Sequence, residues 1–242
     1  MRDLNRYGEV YLEPGFEEYQ IKYRRKKVLS VLTSYAHKCI VEIGVGAEPL
    51  FQYIDDYEEY FFFEPVEKFY NNAMKLTNNK NNIHGIKLPF KSDENVRRAK
   101  PDFIICSSLL HEVENPRQLL KDIVSTANQK TVIHINVPNA YSFHRILAVE
   151  SSIIKNVKDK GDRNILLQQN RVFDLDLLIR MVEECGLKVV ERGSYFIKPF
   201  THEQMQKMLD EKIINDQILD GLYKMTEHFS DYGSEIYVNA TL

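Results

Sequence analysis

Short, nearly continuous apolar runs recur along this chain, and each is separated from the next by a segment long enough to form a helix. Such a run is typical of a strand buried on both faces, because it has no solvent-facing side to alternate with. Helices that join parallel strands cover both faces of the sheet. The pattern therefore predicts an α/β fold with a mostly parallel sheet; its four clearest strands are residues 39–43, 60–63, 101–106 and 131–137.

Weaker patterns complete the predicted elements. A short strand is expected at 82–87, and further strands are expected at 188–197 and 235–241. Helices are expected where apolar residues recur at three- and four-residue spacing. These segments are about 16–35, 48–55, 67–76, 116–126, 174–185 and 202–223.

The chain is predicted to form a single domain over residues 1–242, because no repeat or low-complexity linker divides it. Three segments lie outside the alternation of strands and helices. Residues 1–36 are expected to form an N-terminal arm and helix, and residues 139–170 and 200–228 are expected to form a lid and substrate-binding additions.

The charge balance argues against a nucleic-acid partner. Lys and Arg total 32 and Asp and Glu total 35, which leaves a formal net charge of −3. A nucleic-acid-binding domain usually carries a basic excess. The basic run Lys22–Lys27 lies inside the first predicted helix, and we interpret it as a solvated helix face. The expected partner is a small molecule.

The three cysteines indicate a reducing compartment. Cys39, Cys106 and Cys185 lie far apart inside apolar segments and form no CxxC pair. An odd number of such residues is more typical of buried thiols than of a disulfide framework. The first residues lack the apolar core of a signal peptide, and no run reaches the ~20 apolar residues of a membrane span. We therefore expect a cytoplasmic protein with no membrane partner.

A glycine turn and a carboxylate mark the predicted ligand site. Gly44 and Gly46 follow the first strand, and Glu64 ends the second. Ligands of open α/β sheets bind at the carboxyl ends of the strands, where a Gly-x-Gly turn lets backbone approach the ligand. A carboxylate at the end of the second strand can accept hydrogen bonds from a ribose diol. The alternative is that Glu64 merely caps the following helix.

The residues after the turn distinguish between nucleotide types. A dinucleotide fingerprint would place a third glycine at position 49, which is Pro49, and the preceding residue is Glu48. A negative charge there would face the pyrophosphate of a dinucleotide. An adenosine ligand without phosphates tolerates both residues. The sequence therefore favours S-adenosylmethionine (SAM), a sulfonium cation, over NAD.

Four segments resemble the motifs of class I SAM-dependent methyltransferases. Residues 40–46, Ile-Val-Glu-Ile-Gly-Val-Gly, resemble the first motif, and Glu64 matches the acidic ribose-binding residue. Residues 102–116 resemble the motif at the fourth strand. Residues 137–145 resemble the loop that follows the fifth strand in bacterial members that act on sugars or other small molecules. The resemblance covers about residues 40–199.

The resemblance implies a Rossmann-like sheet of seven strands in the order 3-2-1-4-5-7-6, with the last strand antiparallel. It also implies SAM as the methyl donor and S-adenosyl-L-homocysteine as the product. The acidic residue that usually meets the adenine amine is not evident, and Asp93 lies late for that role. The cofactor-binding residues that it implies are Glu42, Gly44, Val45, Gly46, Glu64, Pro65, Ser107 and Ser108.

A catalytic base is expected at the same edge of the sheet. His111 follows the fourth strand and is predicted to be the base or an acceptor-orienting group, since imidazole titrates near neutral pH. Glu112 and Glu114 beside it are interpreted as stabilising the next helix. Asn139, His144 and Arg145 follow the fifth strand and are predicted to bind the substrate. His134 lies within that strand and is interpreted as a hydrogen-bonded core residue.

The predicted function is methyl transfer to a small polar metabolite or sugar-type acceptor, at oxygen, as in carbohydrate or polysaccharide biosynthesis. The chain lacks the motifs of a zinc site, of an esterase and of amide or nucleobase N-methyltransferases, so no metal is expected. Two alternatives stay open at this point. One is an NAD-dependent oxidoreductase, and the other is a SAM- or nucleotide-binding module without catalysis.

Overall fold

A seven-stranded sheet forms the centre of the fold. The computed structural model describes residues 15–161, 164–165 and 169–242. The strand order is β3-β2-β1-β4-β5-β7-β6, as the family resemblance implies. The strands are β1 (Cys39–Ile43), β2 (Glu59–Phe63), β3 (Ile83–Ile86), β4 (Phe103–Ser107), β5 (Val132–Pro138), β6 (Lys188–Tyr195) and β7 (Glu235–Thr241).

The strand directions bring five carboxyl ends to one edge of the sheet. Strands β3, β2, β1, β4 and β5 are mutually parallel, whereas β7 runs antiparallel to both β5 and β6. The first residue of β7, Glu235, therefore lies opposite Pro138 at the end of β5. Residues of the last strand thus reach the edge where the sequence predicts the site.

Helices cover both faces of this sheet. The segments 67–76 and 116–126 are helical as predicted, and Asp174 caps the predicted helix that follows it. The helices of the described residues are α1 (Glu17–Leu32), α2 (Glu67–Leu76), α3 (Glu94–Ala99), α4 (Pro116–Thr126), α5 (Phe143–Glu150), α6 (Leu175–Glu184), α7 (His202–Asp210) and α8 (Asp216–Lys224).

The core has two main layers because successive strand residues point to opposite faces. Val41 and Ile43 face the layer that includes α4 and α6, and Ile40 faces the layer that includes α1 and α2. A third, largely aromatic cluster joins α1 to α7, α8 and the sheet. Its buried members are Phe16, Tyr23, Tyr195, Phe196, Met205, Leu219 and Tyr237.

Two predicted helices are wrong. Residues 48–55 form only a short 3-10 turn, Leu50–Gln52, because Pro49 is extended and the Leu50 N–H donates to the Glu42 carboxylate instead of a helical carbonyl. Residues 202–223 form two helices rather than one. Lys212 adopts a left-handed conformation, and the Asn215 side chain caps the second helix by accepting from the Ile218 N–H.

The basic run is a solvated face only in part: Lys22 and Lys26 stay about half exposed, whereas Arg24 is mostly covered. Lys22 and Lys26 pair with Asp216 and Asp220 of α8. The Lys27 ammonium lies 3.9 Å from the centre of the Tyr237 ring. These partners are distant in sequence, so no local sequence pattern predicts the contacts.

No helix among the described residues combines the length and the apolar character that a membrane span needs. The predicted arm lies mostly in residues 1–14, outside the described residues.

Candidate active site

A cavity of about 350 Å³ lies at the carboxyl edge of the sheet. That volume is within the range of small-molecule sites in proteins. The ends of β1, β2 and β4 form its floor, and α1 forms part of its wall. Every cofactor-binding residue predicted from the sequence lines this cavity: Glu42, Gly44, Val45, Gly46, Glu64, Pro65, Ser107 and Ser108.

The glycine turn has the left-handed geometry that favours glycine. Gly44 has φ +78° and Gly46 has φ +57°. The Gly44 N–H donates to the Phe63 carbonyl at 2.8 Å, which ties the turn to the end of β2. A Cβ atom at position 44 would lie 3.5 Å from the Leu109 side chain. The turn therefore gives a bound molecule direct access to backbone.

Glu64 joins the turn to the start of α2. Its carboxylate accepts from the Gly46 N–H at 3.2 Å and from the Val66 N–H at 2.8 Å, and the side chain is buried. Burial raises its pKa to about 7. Capping and ligand binding are compatible here, because a carboxylate can accept about four hydrogen bonds.

Glu42 is a second buried carboxyl group at the floor of the cavity. It accepts from the Tyr60 hydroxyl at 2.6 Å and from the Leu50 N–H at 3.3 Å. Burial raises its pKa to about 8, and Glu64 adds a smaller increase. The floor therefore gains negative charge as the pH rises through neutrality.

These raised pKa values predict how stability depends on pH. A carboxyl group whose pKa is higher in the folded protein favours folding at low pH and loses that contribution as the pH rises through its folded value. We expect the unliganded protein to unfold at a lower temperature at about pH 8.5 than at about pH 5.5. The unfolding temperature of Glu42→Gln should depend less on pH than that of the wild type. Glu67→Gln, which changes an exposed residue of α2, serves as the control. An equal change of unfolding temperature with pH in the wild type and in Glu42→Gln would contradict the raised pKa of Glu42.

Apolar side chains line another part of the cavity. They come from the start of α2, from the segment after β3 and from the loop after β4. Asp93, which follows that segment, caps α3 by accepting from the Asn95 and Val96 N–H groups. An adenine ring would therefore meet mainly apolar surface here: Pro65, Val66, Phe69, Pro89, Phe90, Leu109 and Val113.

Helix α1 supplies a wall that the sequence analysis missed. Ile21, Arg24, Arg25 and Val28 all line the cavity. Arg24 donates from Nε to both carboxylate oxygens of Glu235, at 3.0 and 3.1 Å. The spacing of positions 21, 24, 25 and 28 follows one helix face, which was the available signal.

Arg25 closes the wall of α1 on its other side. Its guanidinium pairs with Glu48 and lies 4.1 Å from the centre of the Tyr53 ring. Glu48 also lines the cavity, where a negative charge would disfavour a pyrophosphate. Arg25 compensates that charge.

The loop after β4 corrects the predicted role of Glu112. Glu112 is buried and lines the cavity, whereas Asn115 caps α4 by accepting from the Gln118 N–H. His111 is buried but does not line the cavity. Its Nε2 lies 3.7 Å from Glu112 Oε1, and its carbonyl accepts from the N–H groups of residues 170 and 171. His111, predicted to be the base, thus lies next to Glu112 but outside the cavity lining.

The predicted substrate-binding residues also lie outside the cavity lining. Asn139 uses its amide in the loop structure, donating to the carbonyls of Asp231 and Gly233 and accepting from the Tyr141 N–H. Burial lowers the pKa of His144 well below its usual value, and nearby Lys198 contributes. The Arg145 guanidinium donates to the carbonyls of Val157 and Asp159.

The residues of the cavity fit SAM. A Cβ atom at Gly44 would come into contact with Leu109 beside the turn, and Glu64 offers acceptor oxygens for a ribose diol. Glu112 offers a carboxyl group to a cationic ligand, and Glu42 adds negative charge only once the pH rises to about 8.

The chain matches the family described as a methyltransferase domain over residues 16–192. This match spans more than half of the chain and includes the glycine turn, Glu64 and the loop after β4. No curated protein matches the chain.

Solved structures with a similar fold are distant in sequence. A SAM-dependent methyltransferase from Mesorhizobium loti has a TM-score of 0.58 and 11% identity, with 84% of this chain and 90% of that chain covered. A possible histamine N-methyltransferase from Thermotoga maritima has a TM-score of 0.56 and 14% identity, with 93% and 90% covered. The N-methyltransferase NodS from Bradyrhizobium japonicum, bound to S-adenosyl-L-homocysteine, has a TM-score of 0.55 and 12% identity, with 91% and 86% covered.

Proposed function

Since this chain belongs to the family of class I SAM-dependent methyltransferases, we propose that it methylates a small polar acceptor of the sugar or metabolite class, at oxygen. The family membership argues against the NAD-dependent alternative. The observation that carries the proposal is the cavity itself. Its lining combines the predicted cofactor-binding residues with residues of α1. At about 350 Å³ the cavity has the size of a small-molecule site, which favours a small acceptor over a polymer surface.

The side chains near α1 favour a polar acceptor. Arg24 and Arg25 of α1 line the cavity, and so does Glu112 of the loop after β4. Such groups can hold hydroxyl or carboxylate groups of an acceptor by charge-assisted hydrogen bonds. The absence of a basic excess, with a net charge of −3, supports a small molecule over a nucleic acid.

The protein's own groups would divide the chemistry as follows. SAM supplies a methyl group on a positively charged sulfur, which a nucleophilic oxygen can attack directly. Glu64 would hold the ribose hydroxyls. The backbone of the Gly44–Gly46 turn would contact the cofactor beside the ribose. Glu112 would take the hydroxyl proton of the acceptor, and His111 would act behind it at 3.7 Å.

The segment around α5 is proposed to act as part of a lid. Arg145 donates from Nε to the Val157 carbonyl at 2.7 Å, and Lys158 pairs with Asp174. These contacts hold residues 155–160 to α5 and to the start of α6. We propose that residues 139–170 and 200–228 exclude water and bind the acceptor, with Asn139, His144 and Arg145 shaping the first of these segments.

Arg145→Ala tests this assignment. We expect SAM affinity to stay within about twofold and methyl transfer to fall more than about tenfold, because the variant releases residues 155–160 without touching the cofactor cavity. Calorimetry measures the SAM affinity, and transfer kinetics measure the rate of methyl transfer by the same variant. Arg117→Ala, which removes an exposed partner of Glu184, is the control. Equal losses of SAM affinity and transfer would instead place Arg145 in the cofactor site or the scaffold.

We also propose a cytoplasmic location. The support is the three free cysteines, of which Cys39 and Cys106 are buried and Cys185 is partly exposed. Thiols that persist without pairing suit a reducing compartment. A sugar-modifying role in carbohydrate or polysaccharide biosynthesis would fit that location.

One experiment tests the function directly. The purified protein is incubated with methyl-labelled SAM and, separately, with a small-molecule extract, RNA and protein. We expect the label in the small-molecule fraction, and mass spectrometry should find it on oxygen. Label in RNA or protein, or on nitrogen, would overturn the acceptor class. SAM binding with no transfer to any fraction would favour the non-catalytic alternative.

A further inference from the structure

Three buried side-chain atoms at the carboxyl edge of the sheet have no hydrogen-bond partner among the described residues: Gln20 Oε1, Ser142 Oγ and His144 Nδ1. Gln20 belongs to α1, and the other two residues stand at the start of α5. Buried polar atoms in folded proteins are nearly always paired, so an unpaired one is a candidate contact for a bound molecule. If the three atoms lie together, they form one polar site.

Hydrogen bonds hold these residues around one junction, which joins α1, the loop after β5 and the start of β7. Gln20 Nε2 donates to Ser234 Oγ at 2.8 Å and to Glu235 Oε1 at 3.2 Å. Because an ionised carboxylate only accepts, the nitrogen faces these partners and the amide oxygen is the unpaired atom. The Ser234 carbonyl accepts from the Asn139 N–H at 3.0 Å, and the Asn139 carbonyl accepts from the Ser142 N–H at 3.3 Å.

The start of α5 leaves two side chains available at this junction. Ser142 is the N-cap residue, where a serine hydroxyl usually accepts from a backbone N–H of the first turn, but its side chain makes no such bond. Burial lowers the pKa of His144 well below its usual value, and the nearby charges of Lys198 and Arg145 lower it further. The His144 ring is therefore neutral, and its Nδ1 can offer either an N–H or a lone pair.

Lys198 brings positive charge to the same junction. It follows β6, and only 3% of the residue is exposed. Its ammonium donates to His202 Nδ1 at 2.9 Å, since an ammonium has no acceptor atom. The other ring nitrogen of His202, Nε2, lies 3.2 Å from Glu17 Oε2. The Glu17 carboxylate is thus on the far side of the imidazole from Lys198.

The junction continues the wall that α1 gives to the cavity. Gln20 and Arg24 are four residues apart and so lie on one face of the helix, and Arg24 lines the cavity. Both side chains bind Glu235. The two positions are separated by about 6 Å along the helix axis, at 1.5 Å of rise per residue. A molecule that extends from the cavity past Arg24 would therefore reach the Gln20 oxygen.

We propose that Gln20, Ser142, His144 and Lys198 form a subsite for the methyl acceptor, which takes a carboxylate or phosphate group that stands beside a hydroxyl. The inference rests on the proposed function and adds the charge of the acceptor to it. The Lys198 ammonium and the donors of Ser142 and His144 bind the anionic oxygens, and the Gln20 oxygen accepts from the hydroxyl. Because these atoms are buried, the acceptor enters when the start of α5 moves aside.

The experiment uses three sugar probes of similar size. Glucuronate carries a carboxylate, glucose 6-phosphate carries a phosphate, and glucose carries neither group. NMR of nitrogen-15-labelled histidine follows the ring of His144 during each titration, and His144→Gln identifies its signals. Lys198→Met removes the charge, and Lys198→Arg retains it. The control is Lys207→Met, which removes an exposed lysine of α7 that pairs with Glu211.

We expect one of the two anions to shift the His144 signals with saturation, and glucose to leave them unchanged at the same concentration. The anion that binds more tightly identifies the acceptor group. Lys198→Met should weaken this binding at least about tenfold, whereas Lys198→Arg and Lys207→Met should stay within about threefold of the wild type. Titration calorimetry should find the same SAM affinity in Lys198→Met as in the wild type.

Ser142→Ala gives a second test that does not depend on removing a buried charge. It should keep the unfolding temperature of the wild type, because the lost hydroxyl has no hydrogen bond within the described part of the chain. It should still lower the affinity for the anion about fivefold. An unchanged anion affinity in a folded Ser142→Ala protein would contradict the subsite.

Three further results would overturn the inference: no probe shifts the His144 signals, glucose shifts them as much as the anions do, or Lys198→Met loses SAM affinity in parallel with anion affinity. Anion binding by a wild-type protein that binds no SAM would support the subsite and count against the proposed function. Thermal denaturation of each variant shows that a loss of binding is not a loss of folding.

Discussion

Gly44→Val is expected to abolish measurable SAM binding, with a loss of more than about a hundredfold in affinity. A β-branched residue is strongly disfavoured at φ +78°, and its side chain would extend from a Cβ that already lies 3.5 Å from Leu109. The added methyl groups would fill the space that the cofactor needs beside the turn. Titration calorimetry with SAM measures the effect.

A matched pair separates strain from blocked binding. Gly186 also has a positive φ, +94°, but a Cβ atom there would meet nothing within 4 Å, and the residue lies after α6, away from the cavity. Gly44→Ala and Gly186→Ala should each destabilise the fold by about 1–2 kcal/mol. Only Gly44→Ala should weaken SAM binding. If Gly186→Ala weakened it equally, the effect at Gly44 would be one of folding alone.

Glu64→Ala is expected to lower SAM affinity at least about tenfold. A charge-assisted hydrogen bond contributes about 1.5–3 kcal/mol, and the variant would also leave the Gly46 and Val66 N–H groups without their carboxylate. Glu64→Gln should retain part of the affinity, because its amide oxygen can still accept one of these bonds. Calorimetry at a pH above about 7, where Glu64 is ionised, gives the largest difference.

The control for Glu64 is Glu67→Ala, which changes an exposed residue of α2 that pairs with Lys87. Its SAM affinity should match the wild type. Unchanged affinity in a folded Glu64→Ala protein would remove Glu64 from the cofactor site and leave it as a cap of α2.

The sheet and the part of the cavity lining formed by the glycine turn and Glu64 were predictable because their signals are local. The buried strands appear as continuous apolar runs, and β1 and β7 have the predicted bounds. Gly44, Gly46 and Glu64 stand at strand ends, where a parallel sheet always collects its ligand contacts. Position along the chain is then enough to place them in one site.

The part of the cavity lining that comes from α1 and the loop after β4 was not predictable in the same way. Arg24 reaches the cavity because Glu235, more than two hundred residues later, holds its guanidinium. The position of Glu112 just before α4 predicts a helix-stabilising residue, because the sequence alone does not show that the loop after β4 places it in the cavity lining. His134 was predicted correctly as a hydrogen-bonded core residue, but its partner Asn239 lies on a strand neighbour that only the topology supplies.

The clasp between α1 and the last strand has a consequence for how the protein is made. Gln20 and Arg24 of α1 bind Ser234 and Glu235, so one wall of the cavity is fastened by residues that leave the ribosome late. Contacts so distant in sequence form slowly and only after the intervening chain has collapsed. We expect nascent chains that end before Ser234 to contain the glycine turn and Glu64 and yet to lack a closed site, so that cofactor capture requires β7 to have been made.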